Sequence, residues 1–516
     1  MASPVPASDR KGRRRRALAS LSCDLGLGLL VALGQAPWGL WPVAVAALAL
    51  ICRRVARATT PRQAAWHGFA AGLGHFALAL SWITEPFLVE PEIHGWMAPF
   101  ALVFMAAGGA LFWTLPAWLA ARLAPGFPRQ GVAFAALMVL SDWLRGWILT
   151  GLPWALTGHI WIDTPAAQLA TTLGAIGLSG LTMLAACLPL MFRRPGGLPA
   201  LPGTLLALLL IAAAWSAGLA RLAQPLPPDT GINLRLVQPD ATQALKWDPY
   251  WSEVFFRRLL DLSAARDPDR PPPDAVIWPE TAVNFLLDQS GTAPQDIAAY
   301  VGAPVILGIQ RSEGTRYYNS LTRFSLLGIG PVYDKFHLVP FGEYTPWGDQ
   351  LARFGIRAFA AQHGFGYSAG PGPQVLHLPD LPPVQPLICY EAVFPRHLIA
   401  GDNRPDWLLQ ATNDAWFGQV SGPWQHLAQA RLRAIESGLP LMRAANTGIS
   451  AVIDARGQLR ATLDLNQIGR IDAVLPGALP ATPWARWGDW PVLALALALL
   501  AAARRKVGVD LGGMLH

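Results

Sequence analysis

The chain has 516 residues, 53% of them hydrophobic and only 14% charged, with a formal net charge of +7. Ordinary soluble domains carry about 25% charged residues, so a single compact water-soluble unit is excluded. The deficit is uneven: residues 17–222 are almost free of Lys, Asp and Glu, whereas 231–475 carry charge throughout.

In chain order, a basic N-terminus (1–16, with Arg10 and the run Arg13-Arg14-Arg15-Arg16) precedes a series of apolar stretches. A membrane-crossing helix needs about 20 apolar residues. Such helices are predicted near 17–34, 38–52, 64–83, 97–120, 131–149, 166–191 and 199–220, giving a seven-helix membrane domain over 17–222. An eighth is predicted at 485–503, followed by a basic tail, 504–516. Because a multispan pattern follows the first stretch, that stretch is expected to be a retained helix, not a cleaved signal.

Basic residues occupy alternate loops: Arg53, Arg54, Arg57 and Arg62, then Arg122 and Arg129, then Arg193 and Arg194, then Arg504, Arg505 and Lys506. The intervening loops carry Glu85, Glu90, Glu92 and Asp163. By the positive-inside rule both termini are expected in the cytoplasm and residues 223–483 outside it. The same rule accounts for the positive charge, so no nucleic-acid partner is expected. Asp142 and Arg145, three apart in the fifth stretch, share a helix face and read equally as a functional or a structural pair. His75 reads as a satisfied core histidine, and most of the 22 Trp residues as interface anchors.

The charged part, 231–475, alternates strand-like and helix-like segments. Strands are predicted at Ile232–Gln238, Ala275–Trp278, Val305–Gln310, Ser320–Leu326, Val384–Tyr390, Trp407–Ala411, Leu441–Ala445 and Ile449–Ile453. Helices are predicted at Tyr250–Arg266, Gln295–Val301 and Trp424–Ser437. Interleaving of this kind predicts an α/β domain. Of the four cysteines, Cys23, Cys52 and Cys187 fall in or beside the apolar stretches, which leaves Cys389 alone in the exported domain. No CxxC, HExxH or Gly-rich phosphate loop occurs, so neither a metal nor a cofactor is expected.

Cys389 ends the apolar run Leu387-Ile388 and is followed by Tyr390-Glu391. A thiol at a strand end suits a positioned nucleophile; it needs a base, and the carbonyl it attacks needs a fixed cation or N–H donors. Glu280, in Trp278-Pro279-Glu280-Thr281, supplies the first; Lys335, in Lys335-Phe336-His337-Leu338-Val339-Pro340-Phe341-Gly342-Glu343-Tyr344, supplies the second. Glu, Lys and Cys in that order resemble the nitrilase superfamily.

Adding Leu245-Lys246-Trp247 and Thr412-Asn413-Asp414-Ala415-Trp416-Phe417-Gly418, nearly the whole chain resembles bacterial apolipoprotein N-acyltransferases. That resemblance implies about eight spans around an exported nitrilase-like domain, an αββα sandwich. It also implies a multi-pass protein of the bacterial inner membrane with a periplasmic catalytic domain. The implied reaction moves a fatty acyl chain from a membrane phospholipid to the α-amino group of a diacylated apolipoprotein, by a two-step route through a Cys389 thioester. The implied roles are nucleophile for Cys389, base for Glu280 and oxyanion partner for Lys335. Glu343, Tyr390 and Glu391 are implied to support them, and Trp247 to lie near the lipid. Independently of the resemblance, Trp416 and Phe417, beside Asn413 on the expected substrate side, read equally as acyl-pocket wall or as core packing, Glu343 reads as the carboxylate that orients Lys335, and Phe354–Tyr367, rich in Gly, reads as a mobile loop able to serve as a lid.

Overall fold

A computed structural model describes residues 7–191, 201–346 and 366–505. Each predicted apolar stretch forms a helix: Ala7–Ala32, Trp41–Ala56, Pro61–Ala79, Ala98–Leu123, Arg129–Arg145, Ala170–Met191, Leu201–Leu222 and Trp490–Arg504. Three helical segments among the described residues are long and apolar enough to cross a membrane: Pro91–Leu123, Pro165–Leu190 and Leu201–Leu222. Arg193 and Arg194, and all but Gly366 and Tyr367 of the expected lid, lie outside the described residues.

The fifth helix stops at Arg145, short of the predicted 149. Its cause is local. Arg145 pairs with Asp142 at 3.3 Å and donates to the carbonyls of Leu152 and Trp154 at 2.6 and 2.7 Å. The chain reverses to bring those carbonyls back, through Leu149, Thr150 and Gly151 at φ 54°, 74° and 93°. The Asp142–Arg145 pair therefore shapes a turn. His75 bonds the Ala155 carbonyl at 2.9 Å and stacks on Trp113, a core histidine as expected.

The charged part, 231–475, is built on two sheets. The first holds β1 (Asn233–Gln238), β2 (Ala275–Ile277), β3 (Val305–Glu313), β4 (Arg316–Ser325), β5 (Gly328–Ile329) and β6 (Tyr333–Asp334). The second holds β7 (Val384–Ile388), β8 (Trp407–Thr412), β9 (Leu441–Ala445), β10 (Ser450–Ile453) and β11 (Leu459–Leu463). β12 (Gly469–Val474) returns to the first sheet. The orders are β12-β1-β2-β3-β4-β5, with β6 on β4, and β11-β10-β9-β8-β7. Within them β1, β2 and β3 run parallel, as do β7, β8 and β9.

Strand alternation sorts side chains between layers. Leu234, Leu236, Ala275, Ile277 and Ile306 meet Val384, Ile388, Leu409, Met442 and Val452 between the sheets. The opposite phase, Val237, Val276, Val305 and Leu307, packs with Leu259, Ile297 and Val301 from the helices Pro249–Ala264 and Ala293–Val301. Leu387, Leu408, Leu441 and Ile453 pack with Leu427, Ala430 and Ala434 of the helix Gly422–Ser437. The layers run helix, sheet, sheet, helix.

That last helix also docks the domain on the helical body. Its Leu432 and Ile435 share a core with Ile160, Trp161 and Leu178. Buried polar bonds fix the contact: Trp154 Nε1 to Gln425 at 2.6 Å, Ala175 N to Glu436 at 2.8 Å, and Gln168 Nε2 to the Arg456 carbonyl at 2.9 Å.

The strands differ from expectation at the nucleophile turn and at the sheet edges. The strand predicted to reach Tyr390 ends at Ile388, where the chain turns into a 3₁₀ segment, Cys389–Val393. The short or half-exposed strands β5, β6, β11 and β12 carry too weak an apolar alternation to be predicted.

Gly308 on β3 underlies one functional turn. A Cβ there would lie 2.6 Å from Glu280 Cα and 2.7 Å from both the Pro279 carbonyl oxygen and Thr281 N. Backbone atoms cannot swing aside as a flexible side chain would. Gly308→Ala is therefore expected to destabilise by about 1–3 kcal/mol through overpacking. A thermal midpoint equal to the native one would show that the Pro279–Thr281 turn is not fixed by this contact.

Candidate active site

Glu280, Lys335 and Cys389 each lie just beyond a strand end, after β2, β6 and β7. The fold brings all three into one buried cluster. Lys335 Nζ lies 2.8 Å from Glu343 Oε1 and 3.6 Å from Glu280 Oε1, with its side chain 1% exposed. Burial alone would lower its pKa, but Glu343, Glu280 and the Cys389 sulfur together raise it, so the ammonium persists.

Both carboxylates are held by further donors. Asn319 Nδ2 donates to Glu280 Oε1 at 2.7 Å and to Glu343 Oε1 at 3.3 Å. The Asn413 backbone N–H donates to Glu280 Oε2 at 2.9 Å, and that of Val339 to Glu343 Oε2 at 2.9 Å. Each Glu280 oxygen thus has its own donor, which fixes the plane of the carboxylate.

Cys389 sits at φ 50°, a left-handed conformation unfavourable for a residue with a Cβ. It is buried and unpaired with any other cysteine. The Glu391 carboxylate holds the sharp turn by accepting from Ile388 N at 2.8 Å, Phe336 N at 2.9 Å, His337 N at 3.2 Å and Tyr333 OH at 2.8 Å. Burial pushes the Glu391 carboxyl up to about 7, against the opposing pull of these donors and of Lys335. Tyr390 points the other way; its hydroxyl donates to the Gly151 carbonyl at 3.1 Å, in the reversed loop of the helical body.

The thiol is also raised, first by burial and then by Glu280, with Lys335 opposing. The charge balance explains the sign. Two carboxylates face one ammonium, and a thiolate would add a further negative charge in a medium that screens poorly. Proton transfer from Cys389 to Glu280 leaves the total unchanged. The arrangement can therefore make a nucleophile only by handing the proton to a neighbour.

The other candidates scatter around this centre. Trp247 walls a cavity of about 20 Å³ that also touches Glu280 and Asn446, room for one water molecule. Asn413 is buried and bonds Gln243 at 2.7 Å and Asn446 at 2.9 Å. Trp416 is half-buried. Phe417 is packed against Trp82, Trp154 and His426, in the contact with the helical body.

The two halves of the chain match two known profiles. The apolipoprotein N-acyltransferase N-terminal domain matches residues 27–188, and carbon-nitrogen hydrolase matches 278–479. An apolipoprotein N-acyltransferase of Caulobacter vibrioides is 39% identical over 96% of this chain and 96% of its own. Those of Allorhizobium ampelinum and Bradyrhizobium diazoefficiens are 38% and 37% identical, over 86% and 96% of this chain and 86% and 95% of theirs. The chain belongs to the apolipoprotein N-acyltransferase family. It is an N-acyltransferase of the carbon-nitrogen hydrolase superfamily and acts in lipoprotein maturation.

Several residues of this acyltransferase site escaped the sequence. Asn319, which ties the two carboxylates together, lies one residue before the predicted start of its strand. Lys246 is buried, donates to Thr281 Oγ1 at 2.8 Å and to the Glu280 carbonyl at 3.3 Å, and has its pKa lowered by burial to about 8. Behind Cys389, Gln410 Nε2 donates to the Cys389 carbonyl at 3.2 Å and lies 3.1 Å from His426 Nε2. His426 Nδ1 in turn lies 3.0 Å from Asp414, which Arg443 also grips. Against burial, Arg443 and His426 hold Asp414 down to about 2. In sequence Asn319, Gln410 and Arg443 are polar letters in apolar strands, while Lys246, Asp414 and His426 fall in a turn, a 3₁₀ segment and a helix; only their unusual depth could have marked them.

Because its pKa is raised, the Cys389 thiol is expected to keep its proton at neutral pH. The 240 nm difference absorbance between the native protein and Cys389→Ser should show no thiolate near pH 7. Glu280→Gln removes a negative charge beside the sulfur, so thiolate should then appear at lower pH even as catalysis is lost. A thiolate signal already present in the native protein at neutral pH would contradict the charge balance.

Proposed function

We propose that Cys389 takes the acyl chain from a membrane phospholipid as a thioester and passes it to the α-amino group of the N-terminal diacylglyceryl-Cys of an apolipoprotein. The observation that carries this reading is the buried Glu280–Lys335–Glu343 cluster beside a strained, uncharged thiol. Glu280 takes the Sγ proton as sulfur attacks the ester carbonyl. The developing oxyanion faces Lys335 and the Tyr390 backbone N–H, which stands at the start of a 3₁₀ turn where such groups lack an intrahelical acceptor. The C–O bond breaks, and the lysophospholipid oxygen takes the proton from Glu280.

In the second half-reaction the amine nitrogen attacks the thioester, passing its proton to Glu280. The C–S bond breaks, and the proton returns to sulfur. One base serves both halves. Glu343 keeps Lys335 charged and aimed; Glu391 holds the nucleophile turn; Tyr390 links it to the helical body; Trp247, Asn413, Trp416 and Phe417 are assigned to the substrate side. We infer an inner-membrane protein of about eight spans, with basic loops and both termini cytoplasmic and the catalytic domain periplasmic. In support, the catalytic domain rests on apolar helices, as substrates that stay in a bilayer require.

Phospholipid alone should leave one acyl mass on Cys389, labile to hydroxylamine, and Cys389→Ala should carry none. Acylated Cys389→Ala protein would remove the thiol from the pathway. Lys335→Met should cost about 10²–10³ in rate, as loss of an oxyanion partner does elsewhere, with the protein still folded. Varying phospholipid and diacylated peptide together should give parallel double-reciprocal lines. Intersecting lines without prior release of lysophospholipid would mean direct transfer. For topology, a membrane-impermeant maleimide should label Asp288→Cys in intact cells stripped of outer membrane, and Arg57→Cys only after lysis. The reverse pattern would invert the orientation.

A further inference from the structure

A second cavity lies far from Cys389. It measures about 400 Å³ and opens between the first three helices, Ala7–Ala32, Trp41–Ala56 and Pro61–Ala79. That volume falls within the range of small-ligand sites. At its other end the second helix packs Trp41 on Trp161, in the core shared with Leu432 of the catalytic domain. Arg53 is twelve residues further on, roughly 18 Å at 1.5 Å per residue. The cavity is therefore at the end of the helical body away from acyl transfer.

Its lining is divided by chemistry. Arg53, Arg54 and Arg57 stand on one side of the second helix, and Leu27 and Leu50 supply apolar wall. Arg54 is committed elsewhere: it pairs with the fully buried Asp24 and donates to Ser20 Oγ at 2.6 Å. His67 Nδ1 takes the other Asp24 oxygen at 2.7 Å. Asp24 is thus saturated by Arg54 and His67. The guanidiniums of Arg53 and Arg57, one helical turn apart, have no hydrogen bond or ion pair among the described residues; only the backbone joins the two, Arg57 N donating to the Arg53 carbonyl at 3.1 Å. Like charges at this spacing repel, so an anion bridging them relieves a strain that the protein itself leaves standing.

The positive-inside rule and the helix dipole explain why arginines gather at this helix end. They do not explain a cavity of this size with an apolar wall and two uncommitted guanidiniums at its rim. A phosphate suits the guanidinium fork, and the leucine wall asks for a hydrocarbon chain on the same molecule.

We propose that this cleft holds an anionic phospholipid from the leaflet opposite the catalytic domain, with its phosphate bridging Arg53 and Arg57 and an acyl chain along Leu27 and Leu50. This rests on the membrane reading above but not on the acyl-transfer chemistry. The cleft carries its own reporter. Cys23 lines it and is exposed, whereas Cys52, Cys187 and Cys389 are buried.

The test measures the rate at which N-ethylmaleimide alkylates Cys23, read by peptide mass, in the full-length protein. The protein is placed in nanodiscs of dioleoylphosphatidylcholine, or of the same lipid with added dioleoylphosphatidylglycerol. Inorganic phosphate is tried separately in the first kind. The glycerol lipid should slow alkylation; the choline lipid alone and inorganic phosphate should not. Each of Arg53→Gln and Arg57→Gln should raise the glycerol-lipid fraction needed for half protection about fivefold, the equivalent of about 1 kcal/mol per basic residue. Arg53→Lys and Arg57→Lys should keep most of the protection. Every comparison is made with and without the anionic lipid in the same variant, because the arginines also affect the thiol.

Equal protection by both lipids, protection by inorganic phosphate, no protection, or Gln variants that behave as the native protein would each overturn the proposal. None of these results depends on turnover. A failure here leaves the thioester route standing, and a failure of that route leaves this measurement intact.

Discussion

One ammonium buried between two carboxylates is the constraint on which the rest of this structure depends. Taking Lys335, Glu280 and Glu343 out of water is expensive unless every oxygen and proton finds a partner. The fold meets that demand from both sheets. Asn319 comes from β4 and Lys335 from the segment after β6, while the Asn413 N–H that fixes Glu280 follows β8 in the opposite sheet. The cluster therefore forms only when the two sheets are packed in register. Lys335 separates the two carboxylates, and Gly308 leaves no room for a Cβ against the turn that carries Glu280.

The same constraint reaches the helical body. Cys389 is held in a left-handed turn by Glu391 from within the domain and by Gln410 from behind, while Tyr390, the next residue, bonds Gly151. Gly151 belongs to the reversed loop that Arg145 pulls back over the end of its helix. Arg396 donates to the Gly146 carbonyl at 2.5 Å and to that of Thr150 at 3.0 Å, and its guanidinium lies over the Trp147 ring at 4.4 Å. The nucleophile turn is thus braced against a loop whose Trp147, Ile148 and Leu149 are exposed and apolar. The domain and its helices thus meet directly beside the nucleophile turn.

Much of this was legible in the residues. Glu280, Lys335, Cys389 and Glu343 were singled out from residue type and order, because thiol chemistry at a carbonyl admits few solutions, and the fold brings Lys335 against Glu280 and Glu343. The core strands followed from apolar runs with period two. The helices followed from apolar length, but their ends did not: Arg145 stops its helix by bonding carbonyls seven and nine residues ahead, a tertiary event invisible in a window. Asn319, Lys246, Gln410 and His426 were missed for a related reason. A polar letter in an apolar strand, a turn or an amphipathic helix reads as a surface residue until the layer that covers it is seen. Edge strands such as Leu459–Leu463 were missed because exposed strands have no buried face to print on the sequence.

The proposed route asks one carboxylate to act in both halves of a reaction. A base used twice must be as well held when protonated as when charged. Glu280 Oε1 is bonded by Asn319 and Oε2 by the Asn413 N–H, so whichever oxygen takes the proton, the other keeps a donor. In that route Lys335 keeps its charge through either step, since the Glu343 oxygens beside it are already taken by Lys335, Asn319 and the Val339 N–H. The proton then moves only among sulfur, Glu280 and the leaving or entering atom. The net charge of the buried cluster is the same before and after each transfer from the thiol. Charge is expensive to create in so dry a place, and moving one proton between neighbours creates none. The raised thiol is thus compatible with catalysis: the sulfur becomes anionic only while a carbonyl carbon is close enough to take the charge from it.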